Sequence, residues 1–174
     1  PTCLRMVAKY YGQSYSAQAL RERTQIGKDG VNLLGISEAA ESIGFRTVAV
    51  KVSLETLLQE APFPCIVHWS QNHFVVITPS RAAYRPNPQR GISYFPPFSM
   101  WRRGQGDEVQ VADPARGLIT YTREEFEKQW ATTIVNGQKM GVALLLEPTP
   151  EFGKEHESNG STSEEKGLGA GRLG

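Results

Sequence analysis

Cysteine and histidine are scarce in this chain of 174 residues, which has two cysteines, Cys3 and Cys65, and three histidines. Two cysteines so far apart in the sequence exclude the disulfide framework that holds many small secreted domains together. They indicate a reducing, cytosolic setting instead. We therefore expect both thiols to be free.

Long apolar runs and a strong charge of either sign are also missing. The longest unbroken apolar run is Val142 to Leu146, whereas a membrane-spanning helix needs about 20 such residues. The chain does not open like a signal peptide. With 19 basic and 18 acidic residues the net charge is +1, which gives no basic face for nucleic acid. With 39% hydrophobic and 21% charged residues, the composition is typical of one globular domain.

Hydrophobic periodicity changes from helical to strand-like along the chain, which predicts an α+β fold with its helices first. The first three predicted helices cover residues 2 to 11, residues 16 to 23 with Ser16 as the cap, and Leu34 to Ile43. A short fourth helix is capped by Ser53, and a fifth begins at a capping box formed by Thr122 and Glu125 and ends at Trp130. Predicted strands are Arg46 to Val52, Cys65 to Trp69, His73 to Ile77, Val109 to Asp113 and a fully buried last strand, Val142 to Leu146.

The segment PCIVHWSQNHFVVIT, from Pro64 to Thr78, contains two β-type runs joined by a polar turn. It predicts a β-hairpin at the centre of the sheet, with His73 on the first residue of its second strand. A histidine held there can act as a general base at a cleft. The alternative is a histidine that is hydrogen-bonded in the core or at its rim.

A possible Cys-His-Asp arrangement comes from three separate parts of the chain. Cys3 lies near the start of the first helix, His73 opens a central strand and Asp113 closes a later one. A helix N-terminus favours the thiolate, and an aspartate can hold the imidazole tautomer that accepts the thiol proton. Because most chains contain such a trio, the spacing alone does not establish a site.

Several segments resemble one family in the same order: PTCLRMVAKYYG, GISEAAESIGF, PCIVHWSQNHFVVI, ADPARGLITYTREEF and ALLLEPTPEF. They are similar to the N-terminal double-glycine leader peptidase domain of peptide-exporting ABC transporters, a bacteriocin-processing cysteine peptidase. The resemblance covers residues 1–152 and implies a papain-like fold, in which N-terminal helices pack on an antiparallel sheet. It also implies that His73 is the catalytic histidine and Asp113 the aspartate that orients it, with no cofactor and no metal.

The function implied by the resemblance is removal of a leader after a Gly-Gly or Gly-Ala pair in a precursor peptide. The partners would be that precursor and the transmembrane and ATPase domains of the same exporter, with no nucleic acid. The domain would lie at the cytoplasmic face of the bacterial inner membrane. Residues 153–174 would be a disordered linker to a transmembrane domain, and residues 79–108 a long loop with a strand at Ile92 to Phe95.

The chain departs from the family at the nucleophile. PTC matches the last three positions of a Cys-Gly-x-x-Cys-type segment, so the catalytic cysteine is expected two residues before Pro1, and a family glutamine that helps form the oxyanion hole is absent as well. Cys3 would then be a packing residue one helical turn after the nucleophile. We accordingly expect a chain cut at its N-terminus and inactive as given.

Two alternatives are left open. Some relatives of this domain have lost the cysteine and hold a secretion substrate beside the transporter, so the chain could be a docking module that does not cleave.

Cys65, His68 and His73 have spacings reminiscent of a metal site, but zinc requires further ligands that the sequence does not supply. His68 and Trp69 match a pair common in the family and are expected in the core or the cleft wall, and His156 in solvent.

Overall fold

The order of elements follows the change of hydrophobic period. The computed structural model of the protein describes residues 2–23, 32–70, 73–78 and 108–154. The helices in these ranges are α1 (Thr2–Tyr10), α2 (Ala17–Arg23), α3 (Leu33–Ser42), α4 (Leu54–Glu60) and α5 (Arg123–Trp130). The strands are β1 (Phe45–Val52), β2 (Cys65–Trp69), β3 (His73–Thr78), β4 (Glu108–Asp113), β5 (Gly117–Thr122), β6 (Thr133–Val135) and β7 (Gln138–Pro148).

The predicted helix starts are confirmed by their caps. The Ser16 hydroxyl accepts from the Ala19 amide at 3.0 Å, and the Ser53 hydroxyl from the Thr56 amide at 3.2 Å. Thr122 forms the predicted capping box with Glu125 at the start of α5. Such caps satisfy N–H groups that a helix leaves without an internal partner. Across the ranges just given, none of the helices is both long and apolar enough to cross a membrane.

The strands form one antiparallel sheet with the order β1-β7-β2-β3-β4-β5, and β6 pairs with β7 beside this path. Trp69 lies opposite His73 in the β2–β3 hairpin, and Val76 lies opposite Ala112 across the β3–β4 pair. The two hairpin strands occupy the middle of the path. The prediction of a central hairpin is therefore confirmed.

Each face of the sheet has its own helical layer. The first cluster joins buried residues of α1, α2 and α3 to alternate sheet positions, among them Ile66, Val76, Ala112, Leu144 and Leu146. The second joins α4 and α5 to the intervening positions, among them Val67, Val75, Val111, Phe126 and Trp130. The prediction that N-terminal helices pack on the sheet is thus confirmed, and α4 and α5 add a layer on the opposite face.

Two strands were not predicted, and the last strand is longer than predicted. β5 is an edge strand whose side chains are half-buried or exposed, so its alternation is weak. β6 has only three residues, but Asn136 and Gly137, with φ values of 52° and 78°, form the turn between β6 and β7. Asn-Gly is the strongest short signal for such a hairpin, so the sequence did contain it. Val142 and Leu145 are half-buried, so the last strand is not fully buried as predicted.

Some predictions fall outside the described residues: the strand at Ile92 to Phe95, the rest of the long loop up to residue 107, His156, and the linker from residue 155 onward. At its start the predicted linker differs from the structure. Gly153 is buried, and a Cβ atom built on it would lie 2.4 Å from Nε2 of Gln13. The packed chain therefore continues through Gly153.

A substitution at Gly141 would test how closely β7 packs against α5. A Cβ atom at Gly141 would lie 2.2 Å from the Trp130 indole, whose Nε1–H donates to the Val142 carbonyl at 3.0 Å. We expect Gly141→Ala to lower the free energy of unfolding by about 1–3 kcal/mol, because the indole must shift. Urea denaturation measures the loss. In a Trp130→Leu background the same substitution should cost clearly less, and an equal cost would exclude the indole as the cause.

Candidate active site

Strand register brings His73 and Asp113 together. Val76 pairs with Ala112, so continuing the register by one residue sets Asp113 opposite Val75. Side chains two apart on a strand share a face, and residues directly opposite each other share one as well. His73, Val75 and Asp113 therefore lie on the same face, near the ends of two adjacent central strands.

The two side chains form a hydrogen-bonded pair. His73 Nε2 lies 3.2 Å from Asp113 Oδ1, and the backbone N–H of Ala115 donates to the same oxygen at 2.8 Å. The Asp113 side chain is 8% exposed, whereas that of His73 is 41% exposed. The carboxylate is thus held in place by its own turn, and the imidazole ring keeps one side open to solvent.

The surroundings of Asp113 keep its carboxyl ionised. Burial raises the pKa of this group, but the hydrogen bonds from Ala115 and His73 and the positive charges of His73 and Arg116 outweigh burial and hold the pKa below its ordinary value. An ionised carboxylate only accepts hydrogen bonds. His73 must therefore donate from Nε2, and in the neutral ring the lone pair is on Nδ1. The pair can hold a base in one tautomer.

The strand partner of His73 belongs to a group of packed aromatic rings. Trp69, its partner across the hairpin, is 7% exposed. The Trp69 ring lies 5.4 Å from that of Tyr121 and 5.1 Å from that of Phe126, measured between ring centroids. This packing fixes the end of β2, with which His73 pairs. The prediction that Trp69 belongs to the core is confirmed.

Cys3 is also near the site, but its thiol is not set up to react. Its Sγ donates to the Phe74 carbonyl at 3.1 Å, and the residue is 6% exposed. Burial, with a contribution from the negative charge of Asp113, raises the pKa of the Cys3 thiol to about 12. The hypothesis that Cys3 is a thiolate is therefore wrong, because burial is the largest influence on this thiol and outweighs those that lower its pKa. The predicted packing role of Cys3 is confirmed.

The other candidates do not form a second site. Cys65 is fully buried, which raises the pKa of its thiol, and both cysteines are free, as predicted. His68 is half-buried with its ring 5.3 Å from that of Phe74. Cys65 and His68 are three residues apart on β2, so they point to opposite faces. In the described part of the chain, no group of three or more Cys, His, Asp or Glu residues could hold a metal ion.

Two backbone groups of the site were not identified from the sequence: the Ala115 amide and the Phe74 carbonyl. The first had a signal, since an aspartate at the start of a turn commonly accepts from the amide two residues later, as in the sequence Asp113, Pro114, Ala115. The second had none, because only the packing of α1 on β3 brings a thiol to that carbonyl.

Comparison with known proteins places these observations in a family. A model of the Peptidase C39 family matches residues 1–84. The lactococcin-G-processing and transport ATP-binding protein LagD of Lactococcus lactis subsp. lactis is 30% identical over 155 residues, which are 86% of this chain and 17% of that protein. The chain thus spans about a sixth of the length of this curated relative.

Solved structures give the same result for the fold. The double glycine motif protease of an AMS/PCAT transporter, solved with its leader peptide, has a TM-score of 0.60 and 26% identity over 84% of this chain and 81% of that one. The peptidase domain of Streptococcus ComA, a bi-functional ABC transporter of a quorum-sensing pathway, has a TM-score of 0.59 and 27% identity over 84% and 88%. The predicted α+β papain-like fold is confirmed.

The lowered pKa of Asp113 predicts how stability responds to acid. A depressed carboxyl pKa contributes stability that is fully present above the ordinary value of about 4 and is lost as the pH falls through the folded-state pKa. The free energy of unfolding, from urea titrations between about pH 6 and 3, should therefore fall less steeply with acid in Asp113→Asn than in the unaltered chain. The pKa of Glu125 is also lowered, but this group is present in both proteins. Equal slopes of the unfolding free energy against pH in the two proteins would contradict the lowered pKa of Asp113.

Proposed function

The chain belongs to the peptidase C39 family, and we propose that it is the peptidase domain of a bacteriocin-type ABC exporter. It removes the leader of a precursor peptide by cutting after a Gly-Gly or Gly-Ala pair. The observation that carries the proposal is the buried, ionised Asp113 that holds the half-exposed His73 at the centre of a papain-like sheet. The processing and transport functions named for LagD support the choice of substrate and partner.

In this reaction His73 is the general base and then the general acid. Its Nδ1 accepts the proton of a cysteine thiol, and the resulting thiolate attacks the carbonyl carbon of the second small residue. The imidazolium then gives the proton to the leaving amine, and a water molecule hydrolyses the thioester. Asp113 transfers no proton. It keeps the hydrogen on Nε2 and stabilises the imidazolium while that cation exists.

The nucleophile of this reaction is neither of the two cysteines in the sequence, since both thiols are buried and have raised pKa values. We keep the position expected from the resemblance, two residues before Pro1. That position is four residues before Cys3, so on a continued α1 it would lie on the same face, one turn or about 5 Å along the axis. Cys3 itself contacts the carbonyl of Phe74 on the face that α1 covers, whereas His73 shares a face with Val75, on the side of α4 and α5. The nucleophile would therefore meet the imidazole at the end of the sheet, where β3 begins, and not on one of its faces.

The partners and the location are part of the proposal. The chain would be joined to the membrane and ATPase domains of its exporter through the residues after Lys154, at the cytoplasmic face of a bacterial inner membrane. Small residues at the cut would allow a narrow subsite on that side of the scissile bond. An amphipathic leader helix would supply affinity by lying on an apolar surface.

A cleavage assay tests the roles of the two residues. The substrate is a precursor peptide with a Gly-Gly leader, and the enzyme is the chain extended by the residues its gene encodes before Pro1. We expect His73→Ala to abolish turnover and Asp113→Asn to lower kcat by about 10²- to 10⁴-fold, because the base loses its orientation. His68→Ala is the matched control and should stay within about tenfold. Full cleavage by His73→Ala would exclude this mechanism.

The position of the nucleophile has its own test. We expect the source gene to encode Cys-Gly directly before Pro1, and a Cys→Ala change there to abolish cleavage. Cys3→Ala in the same extended protein should leave kcat within about tenfold, because Cys3 is a packing residue. A different residue at that position, together with a precursor peptide that binds but is never cut, would instead identify the domain as a docking module.

A further inference from the structure

The last packed residues of the chain return to the far end of α1. Residues 149–153, called the C-terminal strap below, follow β7. The Gly44 carbonyl accepts both the amide and the hydroxyl of Thr149, at 2.9 and 2.7 Å. The Phe152 amide donates to the Thr149 carbonyl at 3.0 Å. These bonds fold the strap into a turn against the corner between α3 and β1.

Aromatic rings connect this strap to α1. Between ring centroids, Phe152 lies 4.3 Å from Phe45 and 6.1 Å from Tyr11, and Tyr11 lies 5.4 Å from Phe45. Tyr11 directly follows α1, and its amide still bonds to the Val7 carbonyl at 3.2 Å. The three rings thus join the end of α1, the start of β1 and the strap in one cluster.

Close backbone packing shows that the strap fits this place tightly. Gly44 has φ +94°, and a Cβ atom there would lie 2.6 Å from the Cα atom of Phe152. A Cβ atom on Gly153 would meet the Gln13 side chain just after α1. Side chains at these two positions would displace the strap. Neither the Cys-His-Asp chemistry nor the hairpin requires these glycines.

Helix α1 connects the strap to the candidate active site. At its start Cys3 donates to the carbonyl next to His73, and after its last residue Tyr11 packs on Phe152. Leu4, Val7 and Ala8 between these ends are at most 1% exposed. A nine-residue helix is about 13 Å long and bends little, so a shift at one end moves the other.

We propose that Phe152 is a positioning residue of the peptidase site, which sets the place of α1 by packing the strap on Tyr11 and Phe45. The inference rests on the proposed function, in which α1 carries the nucleophile at its start.

The first test needs no substrate. Amide hydrogen exchange is measured on the 174-residue chain, and in Phe152→Ala we expect protection of the α1 amides to fall by about tenfold or more, with the α5 amides unchanged. Phe152→Leu should restore most of the protection. The matched control is Phe126→Leu, in the cluster on the opposite face, which should loosen α5 and leave α1 as it was. If Phe152→Ala lowers amide protection equally in α1 and α5, or does not lower it in α1, the proposal is overturned.

The second test measures catalysis by the N-terminally extended chain. We expect Phe152→Ala to lower kcat by about 10²-fold with KM little changed, because the nucleophile is displaced while the leader surface stays in place. Phe152→Leu should recover kcat. A kcat equal to that of the unaltered protein would exclude a role for Phe152 in the site. If the unaltered protein cleaves no leader, the proposed function fails, whereas the exchange result decides separately whether the strap positions α1.

Discussion

The pairing of β3 with β4 is the constraint on which the rest of the site depends. With Val76 opposite Ala112, Asp113 shares a face with His73 and lies within its reach. A slip of one residue would turn the carboxylate to the other face and would also exchange the two hydrophobic sets of β4. Val109 and Val111 face the cluster of α4 and α5, while Ala112 faces that of α1 to α3. Packing on both faces therefore fixes the register, and the register fixes the site.

Burial is divided unequally between Asp113 and His73, and the division suits the roles proposed for them. Removing a carboxylate from water is unfavourable unless hydrogen bonds and a nearby positive charge offset the loss. Asp113 has hydrogen bonds from the Ala115 amide and from His73, and Arg116 supplies a positive charge. His73 keeps two fifths of its side chain exposed, so its free nitrogen can meet a substrate. A fixed acceptor and an accessible base are what proton transfer to and from a thiol needs.

The sequence predicted the parts of this fold whose signals are local. The caps at Ser53 and Thr122 and the hairpin from Cys65 to Thr78 depend on residues a few positions apart, and the structure has all of them. It did not predict β5, because an edge strand with exposed side chains lacks a strong alternation. His73 and Asp113 could be selected only by resemblance, since their contact depends on a register set by packing on both faces. The aromatic cluster around Phe152 had no sequence signal, because its rings come from three distant segments.

Cys3 illustrates how far environment, rather than residue type, decides chemistry. It is a cysteine in the first turn of a helix, and a search by residue type selects it. Its thiol is nevertheless buried, donates to a carbonyl and lies near a carboxylate, and all three features favour the neutral form. At neutral pH a thiol whose pKa is about 12 is ionised in only about one molecule in 10⁵. Burial of this kind makes Cys3 a packing residue, although its residue type and position in the first turn of α1 select it as a nucleophile.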